Sequence, residues 1–157
     1  MTAIEHTHFT IERKFETSPT HAFRFWADPA LKDRWTGCHP DWVVEKDDWD
    51  FRPGGTEAKH WRTPGGDVQT FTAHYLDIVP PERIIYAYEM SFGGQRLSAS
   101  LVTITLRASG QKTLMSFTEQ VAILDGGTSA IDMRLQGTEQ VLDILAGILA
   151  RTRRRSG

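Results

Sequence analysis

At 157 residues the chain is long enough to bury a substantial core as one domain without disulfide staples. Its 18 basic and 20 acidic residues nearly balance, which argues against nucleic acid as the main partner, and no apolar run approaches the roughly 20 residues that span a bilayer. Cys38 is the single cysteine, so an intrachain disulfide and paired-cysteine zinc are excluded.

The first strand is expected over His8 to Phe15, where Phe9, Ile11, Arg13 and Phe15 alternate with Thr10, Glu12 and Lys14. Ser18-Pro19 then supplies an N-cap and a proline at the first helical position. Ala22, Phe23, Phe25 and Trp26 give this short helix an apolar face. Asp28-Pro29 repeats the start signal for a second short helix ending near Trp35-Thr36-Gly37. Strands follow over 41–51, 56–62, 67–79, 83–90, 96–106 and 113–124, separated by Gly54-Gly55, Pro64-Gly65-Gly66, Pro80-Pro81, Gly93-Gly94 and Ser109-Gly110. Such short connections join neighbours in an antiparallel meander. From about Thr128 to Arg155 one long helical pattern closes the chain. Ser129 followed by Asp132 reads as its capping box, and Val141, Leu142, Ile144, Leu145, Ile148 and Leu149 form its apolar stripe. Gly137 would bend this helix or let it approach a strand closely.

The words along this pattern are more specific than the order of elements. Asp28-Pro-Ala-Leu-Lys-Asp-Arg-Trp35, Phe51-Arg-Pro-Gly-Gly55, Tyr75-Leu-Asp-Ile-Val-Pro-Pro-Glu-Arg-Ile-Ile-Tyr86, Phe117-Thr-Glu-Gln120 and Leu124-Asp-Gly126 resemble the SRPBCC superfamily. Within it they resemble the branch named after the C-terminal domain of the activator of heat-shock-protein-90 ATPase. The resemblance implies an α+β, START-like helix-grip fold: a curved antiparallel sheet of about seven strands wrapped around a long C-terminal helix, with two short helices after strand one. It spans about residues 8–152 of a single domain over 1–157, with 1–7 and 153–157 expected to be mobile. Such folds bind lipids, hormones, polyketides or aromatic compounds, and a minority catalyse cyclisation, dehydration or hydrolysis. Fold alone does not assign one of these roles.

After Gly54-Gly55, members of this branch place inward apolar residues at every second position. The matching positions here are Glu57, Lys59 and Trp61. If both charges point inward they require each other, another partner or a ligand; alternatively the strand curls and both reach solvent. Glu119 follows Met115 and Phe117 on one strand face. It either ends an inward row beneath the terminal helix or serves structurally, capping a backbone amide or pairing with Arg134. In the functional version Glu57 and Glu119 converge, and one acts as acid or base. Ser98 and Ser100 share the face of Val102, Ile104 and Leu106, as ligand-facing hydroxyls or as packing residues; no Gly-x-Ser-x-Gly elbow surrounds either.

Trp26, Trp35, Trp61, Phe71, Tyr75, Tyr86, Tyr88, Phe92 and Phe117 are the expected cavity and core aromatics, with Tyr88 the foremost ligand-facing phenol. The six histidines show no metal-binding spacing, and His6 and His8 lie at an expected frayed end. No metal or cofactor is expected. Cys38-His39 could form a reactive pair at the cavity mouth, although a structural thiol is the commoner case. Arg151, Arg153, Arg154 and Arg155 read as a solvated basic tail complementing the helix C-terminus.

The leading expectation is therefore a cytoplasmic protein, lacking a secretory signal at Met1-Thr-Ala-Ile-Glu-His6, that encloses a small, largely apolar or aromatic ligand oriented by Glu57, Tyr88 and Glu119. Glu57→Gln is then expected to alter selectivity more than stability. The alternatives are an enzyme of polyketide-cyclase or hydrolase type using a cavity carboxylate, and, ranked last, a chaperone-ATPase-activating domain. A sheet edge would allow a homodimer, and nothing in the sequence requires one.

Overall fold

Alternation of period two, broken by glycine turns, builds a seven-stranded antiparallel sheet, and a computed structural model describes it over residues 4–36 and 40–156. In chain order the elements are β1 (Glu5–Phe15), α1 (Pro19–Ala27), α2 (Pro29–Thr36), β2 (Val43–Trp49), β3 (Thr56–Arg62), β4 (Val68–Val79), β5 (Arg83–Phe92), β6 (Gln95–Ser109), β7 (Lys112–Ile123) and α3 (Gly127–Ser156). Their spatial order is β1-β7-β6-β5-β4-β3-β2. Five hairpins thus run in sequence from β2 to β7, and β1 closes onto β7 from the other end of the chain. The sheet is open, with β1 and β2 at its edges. The fold is α+β and of helix-grip type.

Both short helices start where their caps place them. Ser18 precedes α1 and its hydroxyl accepts from the His21 amide at 3.3 Å, with Pro19 inside the first turn. Asp28 Oδ1 accepts from the Ala30 amide at 3.0 Å ahead of α2. The face predicted for α1 is buried as Ala22, Phe23, Phe25 and Trp26, and Trp35 is the buried residue of α2. These meet Ile11 and Phe15 from β1, Ile104 and Leu106 from β6, and Leu145 and Leu149 from α3 in one core. Full burial of each such side chain stabilises by about 1.5–3 kcal/mol.

Several boundaries differ from the sequence reading. β1 begins at Glu5 because Glu5, His6 and Thr7 pair with Ile123, Ala122 and Val121, so His6 and His8 are ladder residues and not a frayed end. β2 is shorter at both ends. α3 starts at Gly127, ahead of Ser129; Ser129 lies within the first turn and does not cap it. Of the predicted α3 stripe, Leu142, Leu145, Ile148 and Leu149 are buried, Val141 is half-buried, and Ile144 is 50% exposed. A Cβ built on Gly137 would meet nothing within 4 Å, so no close approach to a strand explains that glycine. Cys38, His39 and the side chains of Arg153, Arg154 and Arg155 lie outside the described residues.

Register irregularities interrupt three ladders, at Leu76 between Tyr75 and Asp77 on β4, at Leu97 of β6 opposite Met90 and Ser91, and at Glu45 between Val44 and Lys46 on β2. Each bends its strand locally. The first sets Tyr75 inward and leaves Leu76 exposed. On the inner face of β3–β5, beneath α2 and α3, lies a space.

Candidate functional site

That space is a cavity of about 230 Å3. One wall is the inward row of β3, namely Glu57, Lys59 and Trp61. The inward register considered from the sequence is thus the one adopted, and Glu57 is only 3% exposed. Phe71 and Tyr75 continue the wall on β4, and Ile84, Tyr86 and Tyr88 on β5. Phe117 and Glu119 on β7 form its floor, while Trp26, Lys32, Trp35 and Thr36 cover it from the short helices and Thr138, Val141 and Leu142 from α3. Eight of the nine expected aromatics line it; Phe92 does not, being 36% exposed at the end of β5.

Two polar clusters occupy opposite parts of this wall. In the first, Lys32 Nζ donates to Glu57 Oε1 at 2.6 Å, and the Tyr75 hydroxyl donates to the same oxygen at 2.7 Å. Trp49 Nε1 donates to the Tyr75 oxygen at 3.0 Å, and the Lys32 ammonium stands 4.7 Å over the Trp49 ring. Lys59 Nζ lies 3.8 Å from Glu57 Oε2, an ion pair beyond hydrogen-bonding distance. Burial lowers the Lys32 pKa, and Glu57 partly restores it. Burial raises that of Tyr75, reinforced by the Glu57 carboxylate.

In the second cluster Glu119, 1% exposed, receives hydrogen bonds on Oε2 from the Tyr88 hydroxyl at 2.7 Å and the Ser100 hydroxyl at 2.8 Å. Arg134 reaches in from α3. Its Nη1 donates to Ser98 Oγ at 2.6 Å and lies 3.5 Å from Glu119 Oε2, with the guanidinium 5.7 Å from the Tyr88 ring centre. The pairing of Glu119 with Arg134, one of the alternatives open from the sequence, is therefore present. Ser98 and Ser100 do not line the cavity; their hydroxyls are engaged by Arg134 and Glu119. Burial raises the Tyr88 pKa, Glu119 adds to the effect, and Arg134 opposes it.

Tyr86 lies between the two clusters, its ring 5.8 Å from that of Tyr75 and 6.0 Å from that of Tyr88. Burial pushes its pKa well up. Its hydroxyl makes no hydrogen bond among the described residues. Glu57 and Glu119 thus share one cavity, yet each has its own partners and they do not form a carboxylate dyad.

Lys32 and Trp49 were not singled out from the sequence. For Lys32 a signal existed: it precedes Trp35 by three residues, which places both on one face of α2. Trp49 carried no such cue, since β2 shows no clean alternation. Among the described residues, no three histidine, cysteine, aspartate or glutamate side chains converge as a metal site, and no helix is long and apolar enough to cross a membrane.

An open seven-stranded antiparallel sheet gripping a terminal helix is a fold of the SRPBCC type. The family model for activator of Hsp90 ATPase homolog 1-like protein matches residues 16–150, and the chain belongs to that family. It is similar to a putative uncharacterized protein from Rhizobium leguminosarum, with 45% identity, 95% of this chain and 97% of that one covered, and a TM-score of 0.86. The Mll3558 protein from Rhizobium loti shares 38% identity over 93% of this chain and 99% of its own, with a TM-score of 0.85. Protein CV1439 from Chromobacterium violaceum, at 24% identity, 91% and 97% coverage and a TM-score of 0.68, shares the fold. A comparison with curated proteins finds no match.

Proposed function

We propose that this protein binds a small aromatic molecule in the cavity between β3–β5, β7 and the helices. The observation that carries the reading is Tyr86, a half-buried phenol on the cavity wall whose hydroxyl makes no hydrogen bond among the described residues and is left open to a ligand. The flanking aromatics supply contact area, and a few convergent polar groups supply orientation, as small-molecule sites require. Size narrows the ligand. A cavity of about 230 Å3 is comparable with apolar cavities of about 150 Å3 that accept one benzene, which suits a single substituted ring.

The test is native mass spectrometry of the protein from its own host, alongside titration with monocyclic aromatic compounds followed by intrinsic fluorescence. Binding is expected in the natural protein and lost in Val141→Trp, which fills the space from α3, with a melting curve to check folding. No retained molecule and no binding across the panel would overturn the reading.

A second reading, catalysis, is favoured by one detail. Both close hydrogen bonds to Glu119 fall on Oε2, while Oε1 has no hydrogen-bond partner among the described residues. A carboxylate held by one oxygen and open at the other can take a proton from a bound substrate. Turnover lost in Glu119→Gln with ligand binding retained would support it. Activation of a chaperone ATPase, suggested by the family name, draws on no surface feature described above and ranks third; an unchanged ATPase rate on adding the protein would count against it.

A further inference from the structure

One end of the inner cavity is lined by two lysines and a single carboxylate. Lys32 on α2 and Lys59 on β3 face each other across Glu57, and each lysine side chain is 12% exposed. Glu57 gives its short contact to Lys32, at 2.6 Å, and stands 3.8 Å from Lys59. Lys59 thus brings three donors into a nearly buried position without a hydrogen bond among the described residues. Burying an ammonium is expensive unless it is both paired and hydrogen-bonded. At the opposite end Arg134 pairs with Glu119, so the cavity-lining cation without a hydrogen bond is Lys59 among the described residues.

The same three residues, Lys32, Glu57 and Lys59, also line a second groove, bounded by Pro29, Asp33, Asp47 and Trp49. They form the partition between this groove and the inner cavity. Asp47 stands directly opposite Lys59 in the β2–β3 ladder and its charge reaches this cluster; like Asp33 it is exposed on the groove side, where water screens it, and it gives Lys59 no hydrogen bond. Across the β3–β4 ladder Lys59 is the register partner of Phe71, whose ring in turn lies 4.9 Å from that of Tyr88. An aromatic ring resting on Phe71 and Trp61 would place its edge substituent beside the Lys59 ammonium.

From this geometry we infer that the ligand class is a monocyclic aromatic acid, its carboxylate held by Lys59 and its ring on the wall formed by Trp61, Phe71 and Tyr86. The inference rests on the ligand-binding reading above and adds the charge of the ligand to it. The anion supplies Lys59 with the hydrogen-bond acceptor it lacks, and Tyr86, on the same cavity wall, offers a hydroxyl to a second substituent.

Calorimetric titration with benzoate, its neutral isostere benzamide, and toluene tests this. A charge-assisted hydrogen bond contributes about 1.5–3 kcal/mol, so benzoate should bind about tenfold or more tightly than benzamide. In Lys59→Met the benzoate-to-benzamide ratio should fall to about one, and in Lys59→Arg it should be regained. Comparison of the three probes on the unaltered protein decides the matter even if Lys59→Met does not fold. Benzamide or toluene binding as tightly as benzoate overturns the anion assignment and leaves the ligand-binding reading standing. Failure of all three to bind overturns both.

Discussion

Raising the pH perturbs the cavity without replacing a residue. The chain has three tyrosines, Tyr75, Tyr86 and Tyr88, and all three line the cavity. Burial holds each phenol above its ordinary pKa of 10.0, and Glu57 and Glu119 strengthen the effect. A group whose pKa is higher in the folded than in the unfolded chain contributes stability that is complete below the unfolded value and is lost as pH rises beyond it. Each phenol that ionises only on unfolding removes about 1.4 kcal/mol per pH unit above about 10, so three together remove about 4 kcal/mol per unit. Lys32 acts in the opposite sense: its folded pKa is lowered, so stability is gained as pH rises toward 10.5. Beyond that value both states have lost its proton and the tyrosines act unopposed. A domain of ordinary stability, about 5–15 kcal/mol, should therefore unfold within about one to four units above pH 10. The assay follows phenolate absorbance and circular dichroism together. Phenolate should be absent while the fold persists and should appear for all three residues as the fold is lost. A phenol ionising near pH 10 in the folded protein would refute the burial argument.

The remaining predictions concern single residues. Glu57→Gln leaves two nearly buried ammonium groups without their carboxylate and should destabilise by about 3 kcal/mol in urea unfolding, so the stability effect outgrows the selectivity effect expected from sequence; adding Lys32→Met should recover part of the loss. Arg134→Met removes the cation from Glu119 and should destabilise by about 2–3 kcal/mol, with a smaller loss when combined with Glu119→Gln. Leu145→Ala empties a fully buried position on α3 and should lower stability by about 2–5 kcal/mol. Gly55→Ala would set a Cβ 2.1 Å from the Asp50 carbonyl oxygen. It should cost about 2–3 kcal/mol by displacing the β2–β3 turn, measurable as a lowered melting temperature.

Faces of strands were legible because their period is short and local. That Ile84, Tyr86, Tyr88 and Met90 share a face, and likewise Glu57, Lys59 and Trp61, needed no knowledge of distant elements; that the second row faces inward came from the family resemblance and stood beside a solvent-facing alternative. What each inward side chain meets is set by how helices lie on the sheet. Lys32 and Glu57 are 25 residues apart, and their contact depends on α2 settling over β3. Arg134 could be proposed for Glu119 because one helix and one inward row leave few candidates, whereas its shorter contact to Ser98 had no sequence signal. Ile144 was misplaced for a different reason. A helical apolar stripe is wide, and the sequence does not say which of its margins meets the core. The start of α3 at Gly127 lies within one residue of the expected Thr128; the cap differs, because Ser129 offers a side-chain acceptor and Gly126, the residue that precedes the helix, offers none.

The burial of α3 is uneven along its length. Leu142, Leu145, Ile148 and Leu149 are sealed in the core, whereas no described side chain between 129 and 140 is fully buried. Arg134, through Ser98 and Glu119, is the main polar tether of that earlier half. Segments with few buried apolar contacts open at lower free energy than the global transition. The first turns of α3 should then detach while the rest of the helix holds. Amide hydrogens there would exchange in fast local events that simultaneously uncover the Thr138 and Val141 side of the cavity. Access to the interior and solvent exchange at these amides would share one rate, governed by the Arg134 contacts together with the packing of Leu135 and Val141 on the core.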